Sequence, residues 1–259
     1  MSTTTDYAPT SADYAIVAVM VLGAVPSVVC LAVRHAWVFR RALPGLNRFR
    51  RWVNLVEAVL VPLAIAGVWM WQHRPPEMLG LGLPTSTPAL IALGLGVAWS
   101  IGIAAHCWSD IRHCRTCDEC QREWREEIIK TYGRTPTELR RLPPYLGVLS
   151  AVVEEVIFRG FLIWVLTPLL GVVGAVIAAA LCFGIGHAAS MRWAFFATCV
   201  GLLLGIVYAL TESLWGIMIA HVAQNLSVFL HHRALAAMAM PEPRSTDQAS
   251  AAPSDRAEQ

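Results

Sequence analysis

Charge is what this sequence has least of: Asp, Glu, Lys and Arg make up only 15% of its 259 residues, against about a quarter in a soluble domain of this size. Hydrophobic residues fill 56% of the chain and the mean hydropathy is +0.53, which excludes an ordinary soluble enzyme and fits a polytopic membrane protein. A formal net charge of +2 is too small to recruit nucleic acid. The seven cysteines do not form an even-numbered framework of extracellular disulfides. Residues 1–13 carry Asp6 and Asp13 but no basic residue, the wrong flank for a cleaved signal peptide, so the first apolar run is expected to be retained. His-Glu-x-x-His and Gly-x-Ser-x-Gly are both missing, which removes two familiar hydrolytic chemistries. All six aspartates are expected outside the bilayer, which removes an intramembrane aspartyl dyad.

What is present is a succession of apolar runs. A bilayer core of roughly 30 Å needs about 20 residues per helical crossing. Seven runs qualify, near 13–33, 52–72, 87–106, 144–167, 169–190, 193–210 and 213–231. The expected fold is therefore all-α, a transmembrane helical bundle of about seven spans. Six arginines follow the first run (Arg34 to Arg51), and a second basic connection, Arg112 to Arg141, follows the third. Arg74 stands alone on the opposite side. Positive residues mark cytoplasmic connections, which predicts an outside N-terminus and a cytoplasmic C-terminus. Three regions are expected: 1–137, with three spans and a charged connection that is helical near Cys120–Tyr132; 138–232, with four spans; and a disordered tail, 233–259.

One stretch contradicts its surroundings. Glu154, Glu155 and Arg159 lie within the fourth run, and Glu154 falls about 15 Å beyond Pro144 at 1.5 Å per residue. Charge at that depth costs several kcal/mol, roughly 3 to over 10, so such residues face a partner or water. Glu155 and Arg159, four apart, share a helix face and can pair, but one arginine cannot neutralise two carboxylates. The fifth run offers Phe183 and His187, and the seventh His221 and Asn225, each pair also four apart. A carboxylate, two imidazoles and a carboxamide suffice for hydrolysis by activated water with a stabilised oxyanion. By contrast, Asn54 and Glu57 lie near a cytoplasmic end, where they are expected to reach water.

These residues resemble the three motifs of the CPBP family (CAAX proteases and bacteriocin-processing enzymes, also called Abi). The run Glu154-Glu155-x-x-x-Arg159 is followed by Phe183-x-x-x-His187 and then by His221-x-x-x-Asn225. Residues 160–186 separate Arg159 from His187, and 188–220 separate the two histidines. The approach Glu138-Leu-Arg-Arg-Leu is also similar, and the resemblance covers about 138–231. It implies a glutamate-dependent intramembrane endopeptidase in which Glu154 activates water with His187, His221 and Asn225 hold the oxyanion, and Glu155, Arg159 and Phe183 support the geometry. The substrate it implies is a membrane-anchored protein or peptide at the lipid bilayer. Family members are often described as metalloproteases; no cofactor is assured, and zinc on Glu154, His187 and His221 stays an alternative. The Arg and Ala content suggests a bacterial inner membrane. A non-catalytic immunity or scaffold protein, or a proton-coupled transporter built on the same charges, also fits the residues.

A second cluster, His113, Cys114, Cys117 and Cys120, lies in the charged connection after the third run. Its spacing can hold zinc, with His113 or His106 as the fourth ligand, although a second Cys-x-x-Cys pair is missing. On the cytoplasmic side disulfides are not expected there. Oligomeric state and substrate identity are not written in the sequence.

Overall fold

The computed structural model describes residues 7–35, 43–123, 126, 144–187 and 191–238. Among them there are helices and no strand, as the apolar periodicity predicts. We number the helices α1 (Ser11–His35), α2 (Leu43–Trp71), α3 (Thr87–Cys114), α4 (Tyr145–Glu155), α5 (Ile163–Gly186), α6 (Met191–Thr211) and α7 (Trp215–Met238). A 3-10 turn occupies Pro76–Leu79, and a π-helical segment, Val156–Leu162, joins α4 to α5. The arginine-bearing residues 36–42, the sequence 127–143 and the tail beyond Met238 lie outside the described residues, so the expected helix near Cys120–Tyr132 is seen at 118–123 and 126. Helix α7 runs to Met238 and so takes in the first six residues of the expected tail, 233–238.

Two compact units divide the chain, Met1–Cys107 with Pro144–Phe229, and Trp108–Pro143 with Leu230–Gln259. The core of the first gathers Val61, Ile65 and Trp69 from one face of α2 with Phe161, Leu162, Val165, Val176 and Leu214. Spacing of four residues keeps the α2 side chains on one stripe. Their neighbours Leu63 and Met70, and Leu95, Phe195 and Leu203 elsewhere, remain exposed. A bundle with its large apolar side chains turned outward on this scale is built for an apolar solvent.

Among the described residues, three stretches are long and apolar enough to cross a membrane: Thr87–Cys114, the 42 residues Tyr145–Gly186, and Met191–Thr211. Shorter apolar stretches occupy Ser11–Val25 and Val56–Trp71. Helix α7 is not among these, because His221, Gln224 and Asn225 interrupt its apolar surface. The long run is not straight. The sequence places its division at Pro168, but Pro168 stays within helix and the break falls at Gly171, with φ 66° and ψ 168°. That conformation is essentially confined to glycine.

Small residues set the helix crossings. Gly201 and Gly205, spaced as Gly-x-x-x-Gly on α6, meet Ala180, Phe183 and Val176 of α5. Helices α3 and α7 cross backbone to backbone, since a Cβ on Gly96 would collide with the Gly216 carbonyl and one on Gly216 with that of Ala92. Close approach of this kind is how helices associate where no hydrophobic effect separates protein from solvent.

Two polar residues depart from expectation. Asp13, expected outside the bilayer, is nonetheless fully buried in the protein: in the first turn of α1 it accepts hydrogen bonds from the Thr10 backbone N–H at 2.7 Å and from both guanidinium nitrogens of Arg74 at 2.8 Å. The Arg74 guanidinium lies over the Trp69 and Trp164 rings at 5.0 and 4.6 Å, so the lone basic residue of that side is neutralised and stacked. Glu57 does not reach out to water through a free stem. Its carboxylate lies against Gly23, where a Cβ would collide with it, and its Oε1 is buried without a hydrogen-bond partner among the described residues. The neighbouring helix leaves room for this because Gly23 has no side chain. The side chain of Asn54 lies outside the described residues.

Candidate active site

Four segments converge on one polar cluster. Helix α4 ends with Glu154 and Glu155, the π segment supplies Arg159, α5 ends at Gly186 with His187 as its C-cap, and α7 contributes His221 and Asn225. A π turn inserts a residue into the helical ladder and is often found at functional sites. Here it lies directly after the two glutamates. Gly160 within it lets the backbone of the 3-10 turn approach, since a Cβ there would be 2.8 Å from the Leu79 carbonyl.

The inner layer is dry. Glu155 and Arg159 are 0% and 2% exposed in their side chains and pair at 2.9 Å. Glu155 Oε1 also holds His221 Nδ1 at 2.5 Å, a contact that the sequence did not signal. Arg159 in turn stacks on the Phe183 ring at 4.4 Å, which gives Phe183 a definite part in the cluster. Glu155 Oε1 accepts from the Arg159 guanidinium, so with His221 Nδ1 as the donor to the same oxygen the neutral ring has its lone pair at Nε2.

The outer layer is open. Glu154 and His187 are 24% and 43% exposed, and His221 is 11% exposed. His187 Nδ1 contacts the Phe183 carbonyl at 2.9 Å. A carbonyl only accepts, so this nitrogen carries the hydrogen and Nε2 again presents a lone pair. Both Nε2 atoms face Glu154 Oε2, at 3.8 Å from His187 and 3.7 Å from His221. These spacings exceed a direct hydrogen bond, and Glu154 Oε2 is buried without a hydrogen-bond partner among the described residues.

Asn225 stands apart from this trio. Its Nδ2 donates to the Gly147 carbonyl at 3.4 Å and to Ser150 Oγ at 3.3 Å, tying α7 to the first half of α4. Ser150 is one turn before Glu154, so the amide reaches the right helix but engages its backbone and hydroxyl. The sequence had no signal for Ser150, an ordinary serine in an apolar run.

The second candidate cluster has moved closer together than the spacing alone required. Donor atoms of His113, Cys117 and Cys120 all lie within 4.8 Å of one another. Cys114 and Cys120, whose Cα atoms are 5.5 Å apart across the turn that ends α3, are joined as a disulfide. The expectation of free thiols there is thus not what the structure has, because the turn folds residue 120 back onto residue 114.

Comparison with known proteins agrees with the motif reading. Residues 141–227 match the family model described as Rce1-like, "Type II CAAX prenyl endopeptidase Rce1-like". Neither a curated protein nor a solved structure matches the chain. The matched segment contains Glu154, Glu155, Arg159, Phe183, His187, His221 and Asn225 together, so residues 141–227 are similar to the Rce1-like type II CAAX prenyl endopeptidases.

Proposed function

We propose that the protein is an intramembrane endopeptidase that hydrolyses a peptide bond in a membrane-anchored protein or peptide with water activated by Glu154. The observation that carries this reading is the placement of one unbonded carboxylate oxygen 3.7 and 3.8 Å from two imidazole Nε2 atoms. A gap of that size between three acceptors suits a water that donates to two of them. Glu154 and His187 orient the water. As its oxygen attacks the carbonyl carbon, the proton passes to Glu154, and the tetrahedral oxyanion forms beside His221. For this step His221 enters with Nε2 already protonated from solvent, and the imidazolium, held at Nδ1 by the Glu155 carboxylate, donates to the oxyanion, the service an acidic partner gives a catalytic histidine. Glu154 then returns its proton to the leaving nitrogen as the C–N bond breaks. Asn225 holds α7 in register with α4 in this state, and the oxyanion falls to His221.

The donor set also bears on zinc. Glu154, His187 and His221 are the right residue types, and each histidine has Nδ1 engaged by a carbonyl or carboxylate and Nε2 turned to Glu154 Oε2, as a metal-ligating ring would. Zinc on Glu154, His187 and His221 is therefore the alternative to a metal-free site, and the water reading needs only the residues themselves.

For the substrate, the family's description names CAAX prenyl endopeptidases, and a lipid-modified C-terminal tail lying at the membrane is the class this chain would take. Seven crossings are supported by α1, α2, α3, the two limbs separated at Gly171, α6 and α7. The distribution of arginines supports an outside N-terminus and a cytoplasmic C-terminus, and the composition a bacterial inner membrane. Purified protein in lipid vesicles is expected to cut a prenylated tail peptide. Comparing membrane-protein termini in cells with and without the gene would identify the natural substrate. Absence of any altered terminus and of any cleavage in vesicles would remove the reading.

A further inference from the structure

The polar cluster of the peptidase reading leaves one group of reactive side chains unused, at the end of α3. His113, Cys117 and Cys120 bring their donor atoms within 4.8 Å of one another. Cys114 Sγ is bonded to Cys120 Sγ, so a fourth donor is at the same point. The turn that carries them is already built. The Thr116 N–H and hydroxyl donate to the His113 carbonyl at 3.2 and 3.1 Å, and Gln121 Nε2 donates to that of Cys114 at 2.9 Å. The Cys120 backbone N–H donates to Cys117 Sγ at 3.3 Å, which fixes that sulfur beside Cys120. Three sulfurs and one imidazole match the closed Cys3His set of structural zinc, whereas an iron–sulfur cluster takes four thiolates and this segment has three.

We propose that His113, Cys114, Cys117 and Cys120 form a zinc site that is interchangeable with the Cys114–Cys120 disulfide. The two states exclude each other because the disulfide removes two of the four donors. Passage between them balances simply. A dithiol reductant transfers two electrons and two protons, breaking the S–S bond to give two thiols and becoming a disulfide itself. Binding of Zn²⁺ by the three cysteines then releases three protons to water, and the neutral imidazole completes the tetrahedron. In a reducing compartment the metal-bound state holds 118–123 against the end of α3, and oxidation ejects the metal.

The test uses full-length protein in detergent, reduced with a phosphine, supplied with Zn²⁺ and desalted. Metal analysis is expected to find one zinc per chain, retained in Glu154→Gln and lost in Cys117→Ala. Cobalt in place of zinc is expected to give a thiolate-to-cobalt charge-transfer band, which carboxylate and imidazole ligands at the other cluster cannot produce. Treatment with diamide should release the zinc as the disulfide returns. On the unsubstituted protein, zinc should protect Cys117 and Cys120 from maleimide, a reading that does not depend on a variant folding. No zinc after reduction, no protection, iron with acid-labile sulfide, or zinc that persists in a monodisperse Cys117→Ala protein would overturn the proposal.

Discussion

Glu155 Oε1 holds His221 Nδ1 at 2.5 Å while it also receives Arg159 NH1 at 2.9 Å. One buried carboxylate thus links the charge that folds the helix pair to the ring that faces Glu154. Removing it is expected to do two separable things. Glu155→Gln leaves the Arg159 guanidinium buried and unpaired, which costs about 3–5 kcal/mol. The double variant Glu155→Gln, Arg159→Met should recover most of that stability without recovering cleavage, because His221 still lacks its acidic partner. Thermal unfolding in detergent alongside a cleavage assay separates the two effects.

His187 is the most open member of the trio, 43% exposed in its side chain. His187→Ala is therefore expected to change melting temperature little and to lower the turnover number by about 100-fold or more, the range of a lost acid–base partner. An unchanged turnover would assign the ring a packing role.

At Gly171 the backbone adopts φ 66° and ψ 168°. Gly171→Ala is expected to destabilise the fold by about 1–3 kcal/mol, since a side chain is strained in that region. Pro168→Ala, which lies in continuous helix, should cost less. A larger effect at Pro168 than at Gly171 would contradict the placement of the break.

The pair Asp13 and Arg74 makes a similar prediction at the start of α1. Asp13→Ala strands a buried guanidinium and should cost about 3–5 kcal/mol, with cleavage per folded molecule unchanged. Thermal unfolding combined with active-site titration would check this.

The sequence made the helices and the residues of the cluster legible because both depend on residue type and spacing. Apolar runs fix where helices can stand, and Glu154, His187 and His221 are conspicuous because polar residues at those depths need a reason. What it did not show depends on where chains meet in space. Glu155 was matched to Arg159 by the helical repeat, but its contact with His221 spans separate helices, and no local rule points to it. Asp13 was placed outside the apolar runs, which says nothing of its partner; only the fold, by bringing Arg74 beside it, shows that it is buried in an ion pair. The π segment Val156–Leu162 has no composition that sets it apart from α-helix, and the fold alone reveals that Gly160 admits the Leu79 carbonyl. Asn225 was placed by its spacing from His221, which shows that it shares a helix face with it but not that Gly147 and Ser150 take its amide.

If water is activated without a metal at the glutamate cluster, a chelator that strips the protein of zinc should leave cleavage of the reporter peptide intact. Loss of activity, restored by zinc in Cys117→Ala as well, would place a metal at Glu154.

The most direct measurement of the central claim is the turnover of Glu154→Gln in lipid vesicles, with cut products read by mass spectrometry. Glutamine keeps the volume and polarity of the side chain but cannot take a proton from water. The expected result is a fall of about 10³-fold or more, with helix content and melting temperature like those of the unsubstituted protein. Cleavage by Glu154→Gln at the full rate would contradict it.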